Sequence, residues 1–233
     1  MDKKLVNIRH HIESKTEVFD NYFYNNITPT VKDFIDTLKE NTNVFLFSGI
    51  IRDFFVKTNY EFRDIDLVVE GELTEELLKG LSYKKNSFGG YKISIDNTII
   101  DLWEVKNTWG LQKKSILPLS DYLPETTFFN FSSILYSLNK KEFIIGNDFL
   151  KFMRDKKIDI VFDINPQPEL CIVNTIYYKQ KLNYEVGDKL KEYIKANFQP
   201  MEKLLAVQKK HFKNIIYPAV YMKQIFQQWN VIS

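Results

Sequence analysis

The sequence has a single cysteine, Cys171, among its 233 residues. An intrachain disulfide is therefore impossible, and a thiolate zinc site, which needs several cysteines, is excluded as well. Histidine is also scarce. His10, His11 and His211 do not follow a metal-ligand spacing, and we interpret them as solvent-facing or capping residues rather than as ligands or catalytic bases.

The chain also lacks a large excess of one charge and any long apolar run. Its 32 basic residues nearly balance its 30 acidic residues, which argues against a protein that coats polyanions while leaving local patches open. No apolar run is long enough to span a bilayer, and the first residues do not resemble a signal peptide. We expect a cytoplasmic protein without a membrane partner. Because 44% of the residues are hydrophobic, a sizeable core can form.

The most informative segment predicts a strand, a tight turn and a helix. An apolar strand over residues 44–47 leads into Ser48-Gly49, and a helix begins near Ile50. Small residues let the backbone approach an anion, and the free N–H groups at a helix start favour phosphate. Arg52 offers a forked donor for phosphate oxygens, and Asp53 can orient it or make its own polar contact. The alternative is an ordinary turn followed by an exposed Arg-Asp pair.

The next strand carries two carboxylates, Asp64 and Asp66. Side chains at positions i and i+2 of a strand point to the same face, so these two converge while Ile65 and Leu67 face the core. Adjacent carboxylates repel each other unless a cation lies between them, and hard oxygen ligands suit Mg²⁺. The pattern predicts a magnesium site beside the phosphate-binding turn.

A third carboxylate, Asp101, lies in the second strand of a predicted hairpin. The two β-rich runs, residues 91–95 and 98–103, are separated by Asp96-Asn97, which suits a two-residue turn. An unpaired carboxylate among apolar residues is costly, and a metal shared with the first two carboxylates would stabilise it. The alternative for Asp101 taken alone is an aspartate at a strand end that faces water.

Together these segments resemble the head domain of the class II poly(A) polymerase and tRNA nucleotidyltransferase family, within the DNA polymerase β-like nucleotidyltransferase superfamily. The family pattern is a Gly-Gly or Gly-Ser turn, two variable residues, Arg-Asp, and then an Asp-x-Asp strand that ends in hydrophobic residues and Glu-Gly. The matching segments here are residues 48–53, with Ser48 in place of the first glycine, residues 64–71, and Ile100-Asp101. The resemblance covers roughly residues 30–195 and is strongest at its beginning.

The resemblance implies an α+β fold with a small mixed sheet. Residues 1–140 would form the nucleotidyltransferase head, and residues 141–233 a helical neck and C-terminal helical region. It also implies transfer of a nucleotide from an NTP, with ATP favoured, to an acceptor hydroxyl, with RNA as the expected acceptor. Asp64, Asp66 and Asp101 would bind two Mg²⁺ ions, while Ser48, Gly49 and Arg52, with Asp53, would form the nucleotide-binding turn.

Two family motifs are altered. Thr126-Thr127-Phe128 stands where the family has an Arg-Arg-Asp run that holds the sugar, and Cys171, Asn174 and Tyr177 fall where the neck helix would carry base-reading arginines. CCA addition is therefore not predicted. Two alternatives stay open: a nucleotidyltransferase that acts on a small molecule or a protein, and a nucleotide-binding module without turnover. The three carboxylates favour turnover.

The remaining hydrophobic periodicity predicts mainly helices. Thr28-Pro29 marks a helix start, and Trp103 and Trp109 are candidates to cover the site or to stack on a base, although packing is the commoner role of such residues. The predicted helices include residues 3–24, 74–81, 132–138, 148–153, 169–181, 186–197 and 201–229.

Overall fold

The computed structural model describes residues 2–47, 49–57 and 64–232. It has a seven-stranded mixed sheet with helices packed against it, followed by a helical C-terminal part. The expected α+β class is confirmed. The α-helices are α1 Lys3–Glu13, α2 Thr16–Asn25, α3 Pro29–Asn41, α4 Gly49–Val56, α5 Trp109–Lys114, α6 Asn147–Asp155, α7 Pro168–Leu182, α8 Asp188–Ala196, α9 Met201–Phe212 and α10 Ala219–Gln228.

The strand order of the main sheet is β3-β4-β5-β2-β1-β6-β7. All neighbours are antiparallel except β2 and β5, which run parallel at the centre. A separate short pair, β8 and β9, is also parallel. The strands are β1 Asn43–Phe47, β2 Asp64–Glu70, β3 Ser82–Lys85, β4 Tyr91–Ile95, β5 Thr98–Glu104, β6 Ile134–Ser137, β7 Glu142–Ile145, β8 Lys157–Ile158 and β9 Glu185–Val186.

The two faces of the sheet are covered differently. One face carries Leu46, Leu67 and Ile100, which belong to the large core that the N-terminal and C-terminal helices share. The opposite face carries Phe45 and Val68, which join a smaller apolar cluster under α5 and the loop that follows it. Because successive side chains of a strand alternate between the faces, Asp64, Asp66 and Asp101 lie on this second, less covered face.

Two local predictions, the start of a helix at Thr28-Pro29 and a hairpin turn at Asp96-Asn97, are confirmed. The hydroxyl of Thr28 accepts a hydrogen bond from the backbone N–H of Val31 at 3.3 Å, so it caps α3 at the predicted position. Asp96 and Asn97 have φ values of 47° and 65°, as a two-residue hairpin turn requires. This turn fixes the register of β4 against β5, which places Lys92 directly opposite Asp101.

The predicted helix over residues 132–138 is wrong, because the segment forms strand β6 between β1 and β7. All four residues of β6 are buried. A fully buried strand shows no alternation of apolar and polar residues, so its pattern cannot be distinguished from that of a buried helix. The predicted helix over residues 74–81 is also largely wrong. Only a short 3-10 turn forms at Glu75–Leu78, and β3 follows at Ser82.

Two long predicted helices are each divided into two. The N-terminal helix is interrupted at Ser14-Lys15 between α1 and α2. The final helix ends at Phe212, where Lys213 adopts a left-handed conformation with φ of 62°, and α10 begins only after Pro218. A left-handed residue followed by proline ends a helix because neither can continue it.

The predicted division after residue 140 falls in the turn between β6 and β7, whose two strands pair with each other in the main sheet. A separation into head and helical region at that position stays a prediction. In the part of the chain that the structure describes, no helix has both the length and the apolar character needed to cross a membrane.

Candidate active site

The parallel strands β2 and β5 bring the predicted carboxylates to one place. Asp66 pairs directly with Asp101 in the register of the two strands, so their backbones are about 5 Å apart. Asp64 lies two residues earlier on β2, on the same face and at the exposed beginning of the strand. The expectation that the two strands would be neighbours, with their carboxylates on one face, agrees with the structure.

Burial and the neighbouring carboxylates both disfavour the charged form of Asp66. Burial, and next the negative charges of Asp101 and Asp64, raise the pKa of Asp66 to about 7, although Lys92 and Arg52 act in the opposite direction. A carboxyl group with such a pKa retains a proton near neutrality that a nearby cation would displace. The site therefore has an excess of negative charge that an additional cation would balance.

Lys92 is a residue of the site that sequence reasoning missed. Its Nζ lies 3.1 Å from Oδ2 of Asp101, and both side chains are partly exposed. The signal was present in the sequence, because a two-residue turn at Asp96-Asn97 pairs residue 92 with residue 101. The alternative in which Asp101 faces only water does not describe the structure, since the carboxylate has a cationic partner.

The donor set suits a hard divalent cation. The carboxylate oxygens of Asp66 and Asp101 are ligands of the kind that Mg²⁺ prefers, and the two residues share one face with Asp64 while Lys92 forms its ion pair with Asp101. Within residues 2–47, 49–57 and 64–232, no three Asp, Glu, His or Cys side chains are already arranged as a metal-ligand set. The assignment of Asp64, Asp66 and Asp101 as metal ligands stays a prediction.

The turn that the sequence predicts to bind phosphate is described only in part. Ser48 lies outside the described residues. Gly49 is the first residue of α4, and a Cβ atom added to it would meet nothing within 4 Å. The space beside the start of α4 is therefore open, which leaves room for an anion at the free N–H groups of the helix.

Arg52 and Asp53 face the protein interior. The Arg52 side chain is only 6% exposed, and its guanidinium lies 5.2 Å from the ring centre of Phe131 and 4.8 Å from that of Tyr178. Its Nε donates to Oδ1 of Asp53 at 2.7 Å, and the other oxygen of Asp53 accepts from Nζ of Lys181 at 3.0 Å. These contacts connect α4 to α7, and the contact of Arg52 and Asp53 with a nucleotide stays a prediction.

The positive charges around Asp53 together change its pKa by more than its burial does. Burial alone would raise the pKa of Asp53, but the hydrogen bonds and positive charges of Arg52 and Lys181 lower it below its ordinary value. Asp53 therefore remains ionised at neutral pH and balances the two cations. The alternative of an exposed Arg-Asp pair after the turn is wrong, since both side chains are largely buried.

A cavity of about 380 Å³ opens directly beside Asp101. Trp103 and Trp109 both line it, as do the amides of Asn86 and Asn107. Trp103 is held in place, because its Nε1 donates to the hydroxyl of Thr108 at 3.0 Å. The remaining wall includes the aromatic side chains of Phe47, Phe88, Phe128 and Phe129. Flat apolar walls with a few amide groups suit a planar heterocycle.

A second cavity of about 390 Å³ shares four aromatic residues with the first and extends to α7. Helix α7 contributes Leu170, Cys171 and Asn174 to it. The Cys171 thiol is not reactive, because burial raises its pKa to about 12. Two of the three neck-helix positions singled out in the sequence therefore line a cavity next to the site, while the Tyr177 ring packs on Tyr178 and Phe212.

His211, at the end of α9, is a second residue whose proximity was missed. Burial lowers its pKa, and the negative charge of Asp64 opposes that change, so the imidazole lies within electrostatic range of the site. Helix α9 packs on α7, partly through a ring contact of 5.5 Å between Phe212 and Tyr177. No local pattern in the sequence indicates this approach, because it depends on how the C-terminal helices pack.

The fold is shared with solved nucleotidyltransferase structures. A tRNA nucleotidyltransferase complexed with a primer tRNA and an incoming ATP analog is 17% identical, with a TM-score of 0.61 over 85% of this chain. Complexes of a CCA-adding enzyme with ATP and with CTP are each 16% identical, with TM-scores of 0.62 and 0.63 over 89% of this chain. This chain spans 60%, 53% and 53% of the three.

No protein-family model and no curated protein matches the sequence. The resemblance inferred from the sequence motifs is confirmed by these structures at the level of the fold, which is that of tRNA nucleotidyltransferases and CCA-adding enzymes.

Proposed function

We propose that this protein is a metal-dependent nucleotidyltransferase that transfers a nucleotide from an NTP to an acceptor hydroxyl and releases pyrophosphate. The observation that carries the proposal is the direct pairing of Asp66 with Asp101 on adjacent parallel strands, with Asp64 on the same face. Fold alone does not determine activity. The shared fold supports the proposal because it combines here with an unbalanced carboxylate cluster and a cavity of nucleoside size.

The proposed role of each residue follows from its position in the candidate site. Asp64, Asp66 and Asp101 would hold two Mg²⁺ ions, which would neutralise the triphosphate and lower the pKa of the acceptor hydroxyl. The acceptor hydroxyl would lose its proton to solvent, its oxygen would form a bond to the α-phosphorus, and the bond between that phosphorus and the pyrophosphate oxygen would break. Ser48 and Gly49 would bind the β- and γ-phosphates through the turn and the start of α4.

The aromatic cavity would hold the nucleoside. Trp103 and Trp109 offer ring faces, and Asn86 and Asn107 offer amide donors and acceptors. Stacking accepts any base, so base discrimination would rest on amides, including Asn174 of the second cavity. We propose ATP as the donor and RNA as the acceptor, as in the neighbouring complex of a tRNA nucleotidyltransferase with a primer tRNA and an ATP analog.

A different acceptor is the second candidate. Thr126 and Thr127 stand where the family pattern has its charged sugar-binding motif. Both threonines line the cavity beside Asp101 without bringing a charge to it, and their hydroxyls donate to backbone carbonyl oxygens. A small molecule or a protein is therefore the alternative acceptor, and a nucleotide-binding module without turnover is the third possibility.

The test is labelling of total cell extract with each α-labelled NTP and Mg²⁺. We expect label in RNA with the wild-type protein and none with Asp66→Asn. Asp101→Ala should bind NTP but transfer nothing, whereas the exposed control Asp33→Asn should label like wild type.

Label in protein or small molecules would favour the second candidate. NTP binding without transfer in the wild type would favour the binding module, and full activity of Asp66→Asn would refute the site.

A further inference from the structure

Four neighbouring strands carry charged side chains at directly paired positions on the face that holds the candidate site. Asp66 on β2 pairs with Asp101 on β5, Asp101 pairs with Lys92 on β4, and Lys92 pairs with Lys84 on β3. Paired residues on adjacent strands share a face. The row therefore runs from two carboxylates to two ammonium groups, and the change of sign occurs between Asp101 and Lys92.

The contact at this change of sign involves the same carboxylate that the proposed function assigns to the metal. Nζ of Lys92 lies 3.1 Å from Oδ2 of Asp101. A carboxylate oxygen that accepts from an ammonium group has less electron density for a cation, and the two positive charges repel each other across it. The lysine and a metal ion therefore compete for Asp101.

The ion pair is of a kind that can exchange. The Lys92 side chain is 54% exposed and the Asp101 side chain 30% exposed, and exposed pairs contribute only about 0–1 kcal/mol. The four-carbon stem of lysine lets the ammonium move to water without any backbone change. A divalent ion carries twice the charge and can also contact Asp66, which Lys92 reaches only through its field.

We propose that Lys92 is a positioning residue that acts as an exchangeable counter-ion: it holds Asp101 when no divalent cation is bound and is displaced when one binds. The inference rests on the proposed function, because it concerns the same metal site. Lys92 then has two opposing effects. It weakens cation binding, and it limits the repulsion between Asp101 and Asp66.

The test measures binding of Mn²⁺, a spectroscopic substitute for Mg²⁺, by electron paramagnetic resonance of the free ion in 0.1 M salt. We expect Lys92→Gln to bind Mn²⁺ roughly three- to tenfold more tightly than wild type, because the competing charge is lost. Lys92→Arg should bind like wild type, since guanidinium also pairs with carboxylate.

The matched control is Lys84→Gln, which removes the same charge one strand further away. Its backbone is about 10 Å from that of Asp101, close to the screening length at this salt concentration, so the affinity should change by less than about twofold. Equal affinities for Lys92→Gln and Lys84→Gln, with saturable binding in wild type, would overturn the counter-ion role alone. No saturable Mn²⁺ binding in any variant would overturn the metal site, and the counter-ion role with it.

Discussion

Replacing Asp66 with asparagine should make the metal-free protein more stable at pH 8. In the folded protein the pKa of Asp66 is raised from its ordinary 3.8 to about 7 by burial, Asp101 and Asp64. In the unfolded chain the carboxyl group ionises near pH 4. Between these values the folded state binds more protons, so the contribution of Asp66 to stability is greatest below about pH 4 and is lost as the pH rises to about 7.

The size of the effect follows from the difference between the pKa of Asp66 in the folded protein and its pKa in the unfolded chain. One pH unit corresponds to about 1.4 kcal/mol, so ionised Asp66 destabilises the folded protein by at most about 4 kcal/mol above pH 7. We expect Asp66→Asn to gain about 2–4 kcal/mol at pH 8, which raises Tm by roughly 5–10 °C for a chain of this size. At pH 4 the variant and wild type should differ little, because the carboxyl group is then largely protonated in the folded protein.

The assay is thermal unfolding of both proteins at pH 4 and pH 8, each without Mg²⁺ and with about 5–10 mM Mg²⁺. Mg²⁺ should stabilise wild type at pH 8 and should have no such effect on Asp66→Asn. The exposed residue Asp33 on α3 provides the control, because Asp33→Asn should change stability by less than about 0.5 kcal/mol. If Asp66→Asn unfolds at the wild-type temperature at pH 8, ionised Asp66 does not destabilise the folded protein, and the raised pKa is refuted.

Arg52→Ala should lower the free energy of unfolding by about 2–4 kcal/mol in urea titrations, because it removes a buried charge-assisted hydrogen bond to Asp53 and the packing of the guanidinium on Phe131 and Tyr178. A loss under about 1 kcal/mol, the typical contribution of an exposed ion pair, would contradict a structural role for Arg52. Trp109→Ala should weaken ATP binding about tenfold in calorimetric titration through the loss of a stacking face, whereas Trp229→Phe should not; equal affinities would exclude the cavity as the nucleoside site. Gly146→Ala should lower Tm, since an added Cβ would lie 2.8 Å from the carbonyl oxygen of Ser133, and an unchanged Tm would show that the loop relaxes.

The placement of the carboxylates in the candidate site was predictable from the sequence. The i, i+2 spacing of Asp64 and Asp66 fixes their common face, and the turn at Asp96-Asn97 fixes the hairpin that carries Asp101. Such features depend on a few neighbouring residues and on backbone geometry alone. The fold class was predictable for the same reason, because the motifs identify the strands at the centre of the sheet.

Contacts between distant segments were not predictable in the same way. The role of Arg52 at a phosphate stays a prediction, whereas its contacts with Phe131 and Tyr178, which come from other parts of the chain, have no signal in the sequence. The pattern of the buried strand β6 predicts a helix because both of its faces are covered, and its partner strand β1 is remote in sequence. Long-range packing decides such cases, and a single sequence does not show it.

The contacts of Arg52 and Asp53 bear on how the protein unfolds. The two residues belong to α4, beside the central strands, whereas Tyr178 and Lys181 belong to α7 in the helical C-terminal part. Melting α7 alone would take Lys181 away from Asp53 and the Tyr178 ring away from Arg52. The two buried charges would keep only their contact with each other, and the remaining hydrogen-bonding capacity of both groups would be unsatisfied. Partial unfolding is thereby disfavoured, so denaturation should follow a single cooperative transition, and expression of residues 1–140 alone should yield a poorly folded product.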